Sequence, residues 1–408
     1  MIVIACQVVL AVAGLFGLYQ AIIALPLVGG LLPPLELTAR RHRFAVLVFA
    51  RNEEVVIGRL LASLRAQDYP SEQYEIFVTA DNCTDETAAV ARSAGATVLE
   101  RHDEQRVGKG HALTWFFDRF DPHGFDACVV FDADNVADPG FLAAMNSELN
   151  AGHPIATGYR MGKNPSASWV AGGSTLFWLM QTRLFHLPRA RRGLPCVSVG
   201  GTGFMFALSV LDGRGWRTES ACEDIEFTLS AIAAGHFVAY TPWARYYDEQ
   251  PTSFAHSLRQ RYRWAVGSLQ VVRLCTPSLA GAVRRDWRIA DALIFSVGAL
   301  LSGLAGLAWV VLMLAGALQT GEWNGLFGSL AVSATVGYVA LAGFAWLVLR
   351  LEQARWRGDW LAVAMFPLYL LSWSALQIVT LFYRDPRWVP IPHTDTTSID
   401  DLNAQLTP

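Results

Sequence analysis

Lysine is almost missing from this chain of 408 residues: of its 32 basic residues, only Lys109 and Lys163 are lysines. Acidic residues number 35 and the net charge is −3, so no positive excess exists to neutralise a phosphate backbone, and nucleic-acid binding is excluded. Cysteine is sparse. The six (Cys6, Cys83, Cys128, Cys196, Cys222 and Cys275) form no Cys-x-x-Cys pair and have no histidine at zinc spacing, which excludes a disulfide framework and a structural zinc site. They read as reduced, mostly buried thiols. Charge of either sign is scarce as well, at 16% against 53% hydrophobic residues and a mean hydropathy of +0.30. That excludes a purely soluble protein and leaves room for one globular domain plus membrane spans.

What is present in abundance is long apolar runs. Residues 2–32 form one, with Pro26 inside it and Arg40, Arg41, His42 and Arg43 after it. It is long enough to cross ~30 Å of hydrocarbon and lacks the charged start of a signal peptide, so it reads as an uncleaved anchor with its N-terminus outside. Three further runs cover about 290–318, 326–349 and 360–381, the last containing Pro367. Arg284, Arg285 and Arg288 place the start of the first on the cytosolic side, and residues 319–325 form an external loop. A simple count then puts the tail outside, whereas Arg384 and Arg387 argue for inside, as a re-entrant last segment would allow. The expected organisation is an anchor over 1–35, a cytosolic domain over 42–250, interfacial helices over 251–286, membrane segments over 287–382 and a tail over 383–408. The tail sequence Trp388-Val389-Pro390-Ile391-Pro392-His393-Thr394 is stiffened by proline and can fold over the active site; disorder is expected after Thr394.

Between the anchor and the later runs, strand and helix alternate. Residues 45–49, 75–79, 97–100 and the run into Asp132 read as buried parallel strands, and 53–66, 85–93 and 110–117 as helices. Thr84 is the expected N-cap of the second helix. The pattern implies an α/β, doubly wound sheet whose ligands bind beyond the strand carboxyl ends. Turns 49–53, 81–85 and 132–135 all fall there. Asp132 and Asp134, two apart, can converge on a hard divalent cation, Mg²⁺ or Mn²⁺, that keeps positions for diphosphate oxygens. An Asp-x-Asp is also an ordinary turn former.

Further along, residues 169–187 read as an apolar helix, packed or at a membrane surface. Gly200-Gly201-Thr202-Gly203 marks a tight turn into a strand, or backbone that lets a ligand approach closely. Glu223 and Asp224 open a helix where acidic groups favour its dipole, and where a carboxylate beside a crevice can also act as general base. Gln260-Arg261-Tyr262-Arg263-Trp264 lies on an amphipathic helix over 253–274. Arg263 can fork onto a diphosphate, and Trp264 can stack on a sugar.

In this order, Asp132-Ala133-Asp134, Glu223-Asp224 and Gln260-x-x-Arg263-Trp264 before C-terminal spans resemble the family 2 processive glycosyltransferases, the group of cellulose, chitin, hyaluronan and poly-N-acetylglucosamine synthases. The resemblance covers about residues 44–273. It implies a GT-A (Rossmann-like) domain on the cytosolic face of the plasma (inner) membrane. Asp132 and Asp134 would hold the metal and the nucleotide diphosphate, Asp224 with Glu223 would supply the base, and Arg263 would meet the diphosphate. Gly108-Lys109-Gly110 resembles the donor-binding Gly-Lys segment, and Phe49-Ala50-Arg51-Asn52-Glu53 the nucleotide-cradling Pro-Ala-x-Asn-Glu, which implicates Lys109, Asn52 and Glu53. The usual paired aspartates are here Ala80-Asp81, leaving uracil to Asp81, and Cys222 replaces the usual threonine. Trp264, Gln260, Gly201 and Thr202 would line the acceptor side.

The implied function is an inverting, processive β-glycosyltransferase that uses a UDP-sugar (UDP-N-acetylglucosamine or UDP-glucose) and a divalent metal to elongate and export a glycan. Ser372, Trp373, Ser374 and Gln377 are candidates for lining its path through the membrane. One alternative is an enzyme adding a single sugar to a membrane lipid acceptor. The other is a non-enzymatic transporter, which would need neither the base nor Lys109.

Overall fold

The structure, a computed structural model, describes residues 2–25, 32, 40–321, 323–383 and 391–406. Arg384, Arg387 and tail residues 388–390 lie outside the described residues, as does Pro26. An eight-stranded mixed sheet carries the domain, in the order β3-β2-β1-β4-β7-β6-β8-β5. Its parallel half consists of β1 (Phe44–Ala50), β2 (Tyr74–Asp81), β3 (Thr97–Arg101) and β4 (Ala127–Asp132). β1 is apolar throughout because both of its faces are covered. Phe44, Val46 and Val48 enter one core with α2 (Ile57–Arg65), α3 (Thr87–Ser93) and α5 (Phe141–Asn150), while Ala45, Leu47 and Phe49 enter the other with α4 (Lys109–Phe117).

Beyond β4 the doubly wound expectation stops. β7 (Phe204–Ala207) pairs antiparallel with both β4 and β6 (Ile155–Gly162), and β8 (Val238–Asp248) runs parallel to β6 and antiparallel to the short β5 (Val136–Ala137). Two local expectations also change. Helix α2 starts four residues later than read, and the acceptor at the start of α3 is Asp85, which takes the Thr87 N–H at 3.1 Å. The Thr84 N–H donates instead to Asn52 Oδ1 at 2.8 Å.

The apolar helix of 169–187 is broken into α6 (Trp169–Met180), a π-helical turn (Gln181–His186) and α7 (Leu187–Arg191). Helix α8 (Glu223–Ala234) lies beneath α9 (Phe254–Ala282), and at Gly267 even a Cβ would strike Cys222. Glycine there lets the two helices touch.

Helices α1 (Ile2–Ala24), α10 (Ile289–Thr320), α11 (Trp323–Glu352) and α12 (Asp359–Phe382) form the apolar layer. By length and composition α1, α11 and α12 can each cross a membrane. Helix α12 nevertheless meets the catalytic domain along its whole course. Ala362 fills the notch at Gly172 of α6, the fully buried Arg261 of α9 donates to the Tyr369 carbonyl at 2.8 Å, and Tyr262 Oη donates to the Tyr383 carbonyl at 3.1 Å. The tail follows suit: α13 (Ile399–Leu406) buries Ile399 and Leu402 in a core shared with Met161, Tyr247 and Val348, so the disorder expected after Thr394 is not found.

One buried cluster joins the layer to the domain. Arg189 donates to both carboxylate oxygens of Asp291 in α10, at 2.8 and 3.0 Å, and Tyr19 of α1 donates to the same carboxylate at 2.6 Å. Arg192 meets the Ile22 and Ile23 carbonyls at the end of α1. Removing one member of such a pair leaves a buried charge uncompensated, at a cost of about 3–5 kcal/mol. Arg189→Leu is therefore expected to lower unfolding stability in detergent by that order, and the double variant Arg189→Leu/Asp291→Leu by less. Equal losses in the two would show that the charge pair is not what matters.

Candidate active site

Because β1, β2 and β4 are parallel, their carboxyl ends open on one edge of the sheet. A cavity of about 1030 Å³ occupies that edge and continues between α1, α6, α9, α10 and α12. Glu53, Asp81, Lys109, Asp132, Asp134, Gly201, Glu223, Asp224, Gln260, Arg263 and Trp264 all line it. Asn52 and Thr202 do not. Asn52, at φ +57°, bridges the first two turns through Thr84, and the buried Thr202 accepts the Asp132 N–H at 2.9 Å and donates to Asn135.

The two aspartates of the Asp-x-Asp are not strand neighbours on one face. β4 ends at Asp132, and Asp134 lies in the turn beyond it. The Asp132 carboxylate pairs with Lys109, whose ammonium also donates to the Gly201 carbonyl at 2.7 Å. Asp134 accepts the Glu249 N–H at 3.1 Å, and its Oδ2 stands 4.0 Å from His393 Nε2. His393 comes from the tail and pairs with Glu53 at 2.8 Å. Burial alone would lower its pKa, but Asp134, Glu53 and Glu249 raise it to about 10. Burial raises that of Glu53.

Among the described residues no three His, Cys, Asp or Glu side chains stand together as a closed metal cage. The carboxylates of Asp132 and Asp134 suit Mn²⁺ or Mg²⁺ in an open site completed by diphosphate oxygens and water. At the neighbouring edge, Asp81 receives Arg101 Nη1 at 2.5 Å and Asn82 Nδ2 at 3.0 Å, both on Oδ1. Asp81 lines the crevice, and burial raises its pKa despite Arg101.

Glu223 and Asp224 sit in the first turn of α8, the Asp224 carboxylate against the open face of Gly201, where a Cβ would lie 3.5 Å from Oδ2. Gly201 has φ +78°, a conformation glycine reaches without strain. Burial, and then the neighbouring Asp224, push Glu223 up to about 7, and burial also raises Asp224. Arg263 donates to the Ala221 carbonyl at 3.2 Å just before this pair. Trp264 stacks on Trp373 of α12 (6.1 Å, 21°) and meets Trp178 edge-on (5.8 Å, 74°). Of the residues read as a membrane path, Trp373, Ser374 and Gln377 line the cavity, while Ser372 accepts from Arg261 at 2.6 Å.

Several site residues escaped the sequence reading. Arg160 lies over Trp178 (3.6 Å to the ring centre), pairs with Asp248 and donates to the Gly200 carbonyl at 2.8 Å. Its only sequence signal is a lone arginine in a strand. Gln181 and Phe185 reach the cavity from the π-turn, a kind of irregularity often found at functional sites. His393 was legible only as part of a proline-stiffened tail.

Residues 42–267 match the family model "Glycosyltransferase like family 2". Among curated relatives, "Probable glycosyltransferase YdaM" of Bacillus subtilis is 26% identical over 253 residues, 56% of each chain. "Beta-monoglucosyldiacylglycerol synthase" of Nostoc sp. is 26% identical over 239 residues, 55% of this chain and 49% of that one. The chain thus spans about half the length of the curated relatives it matches. Among solved structures, a mannosyltransferase from Pyrobaculum calidifontis in complex with GDP-Man and Mn²⁺ superposes with a TM-score of 0.60 at 18% identity, over 92% of this chain and 98% of that one. That is a likeness of fold.

The acidic pair gives a pH signature. With folded pKa values above the unfolded ones, the pair binds protons more tightly when folded, so it favours the fold at low pH and costs stability as pH rises through about 7. If the pair supplies the base, as proposed below, the rate is expected to fall as the pair takes up protons, from about 7 downward for Glu223. Glu223→Gln removes the neighbouring charge and should move that acidic limb to lower pH. An unmoved limb would exclude the pair as its source.

Proposed function

The chain belongs to the glycosyltransferase family 2 group, and from that premise we propose that it is an inverting hexosyltransferase moving one sugar from a nucleotide diphosphate sugar, UDP-glucose or UDP-N-acetylglucosamine, onto the hydroxyl of a membrane lipid. The observation that carries this reading is the continuous cavity, with Asp224 and Lys109 at one end and Phe16, Phe295, Leu304 and Leu381 at the other. A hydroxyl can be delivered to Asp224 by a molecule whose apolar part stays among the helices. The name of the Nostoc relative, a glucosyldiacylglycerol synthase, is in keeping with it.

The acceptor hydroxyl attacks the anomeric carbon of the donor. Its proton passes to an Asp224 oxygen, the carbon–acceptor oxygen bond forms, and the bond to the diphosphate oxygen breaks on the opposite face. One in-line displacement turns an α-linked donor into a β-linked product. Lys109, beside Asp132, stands at the phosphate end, and Arg263 reaches it from α9. Asp134, with Asp132, would hold a divalent cation there, which would offset charge developing on the departing diphosphate. Asp81 offers its carboxylate to the base. The catalytic domain faces the cytosol at a bacterial-type inner membrane.

A second reading, stepwise growth of a glycan, is favoured by one feature. The Trp264–Trp373 stack, flanked by Gln377 and Ser374, is a surface on which a sugar ring can lie.

The test uses purified protein in nanodiscs containing diacylglycerol, with radiolabelled UDP-sugars. One lipid-linked sugar with an inverted anomeric centre is expected, and a ladder of water-soluble oligomers would replace the lipid reading with the polymer one. Asp224→Asn should lower turnover by about 10²–10⁴ with donor binding roughly intact. Full activity in EDTA would overturn the metal-assisted part.

A further inference from the structure

Lys163 is one of two lysines in the chain, and glycosyl transfer as described leaves it unused. It follows β6 directly and is buried, with 1% of its side chain exposed. Burying an ammonium is costly unless it is partnered. Its close partner is the main-chain carbonyl of Asp395 in the tail, at 2.7 Å, and the Glu249 carboxylate stands 3.9 Å away.

Glu249 follows β8, the neighbour of β6, and grips the same tail segment. Its carboxylate accepts the Thr394 N–H at 3.0 and 3.1 Å and the Asp395 N–H at 2.9 Å. Two successive amides facing one carboxylate make a directed anion contact. The Glu249 N–H, in turn, donates to Asp134. Glu249 thus clamps the tail with its side chain and holds the Asp134 carboxylate with its main chain. His393 stands next to the clamped amides, between Glu53 and Asp134. Downstream, Ser398 and Asp401 cap α13, whose Ile399 and Leu402 dock beside Met161.

The geometry assigns Lys163 and Glu249 the role of positioning residues that hold tail residues 391–398 across the donor-phosphate end of the crevice, making the tail a working wall of the donor site. This assignment rests on the glycosyl-transfer reading. Neither residue need touch the reacting atoms; each acts through the tail.

The test measures hydrogen–deuterium exchange of the full-length protein in detergent together with calorimetric binding of UDP plus Mn²⁺, and donor KM separately from kcat. Wild-type protein is expected to slow exchange over residues 391–400 when UDP and Mn²⁺ are added. Lys163→Met should speed exchange there about tenfold, weaken UDP–Mn²⁺ binding and raise donor KM by a similar factor, and leave kcat within about twofold. Unchanged exchange in peptides from β1 and β4 will show that the fold persists, and Lys163→Arg should restore protection. Faster tail exchange in Lys163→Met with unaltered UDP–Mn²⁺ affinity would overturn the assignment, as would no change in either. Wild-type protein that binds UDP–Mn²⁺ but transfers no sugar would instead count against the parent reading while leaving the clamp measurable.

Discussion

Negative charge crowded around one crevice is the constraint on which the rest of the structure depends. Glu53, Asp81, Asp132, Asp134, Glu223, Asp224, Asp248 and Glu249 all line it, and so many carboxylates sharing low-dielectric space repel one another unless cations are interleaved. The fold supplies those cations from separate segments. Arg101 serves Asp81, Lys109 serves Asp132, Arg160 serves Asp248, Lys163 stands by Glu249, and His393 lies between Glu53 and Asp134. Each pairing ties an element to the sheet edge. Among the described residues the Glu223–Asp224 pair forms no salt bridge, and burial, only partly offset by Lys109 and Arg263, raises both pKa values. A carboxylate kept short of charge compensation is what proton abstraction from a hydroxyl requires.

The scarcity of lysine acquires a physical meaning in this setting. Arginine makes most of the planar, forked contacts here, such as those of Arg160 and Arg189 to carboxylates. Both lysines instead point a compact ammonium at a main-chain carbonyl while standing beside a carboxylate: Lys109 at Gly201 and Lys163 at Asp395.

Much of this was legible in the sequence wherever local periodicity decides the outcome. The parallel half of the sheet, the three turns at its carboxyl edge, the first turn of α8 and the motif on α9 all lie where the apolar spacing and the acidic residues put them. Legibility failed where distant partners decide. The antiparallel placement of β7 depends on its neighbours β4 and β6, not on its own four residues. The strand was read to end at Asp132, as it does, but the strand-like alternation used to bring Asp132 and Asp134 together does not apply beyond it, and the partners of Asp132, Lys109 and Thr202, come from distant segments. Tail order is likewise non-local: Thr394 and Asp395 carry no helix or strand signal, and their order comes from Glu249 and Lys163.

Hydropathy also could not say what each long apolar helix packs against. α12 is apolar enough to cross, yet Gly172 and Gly173 of α6 and Arg261 of α9 receive it lengthwise. That placement bears on the acceptor. A path that conducts a glycan through lipid must shield hydroxyls and backbone on all sides. Here the apolar end of the cavity is walled by α1, α10, α12 and the π-turn, and among the described residues α11 contributes nothing to it. Phe16, Phe295, Leu304 and Leu381 offer no partner for the hydroxyls of a glycan, and that is the ground on which a lipid acceptor is proposed above.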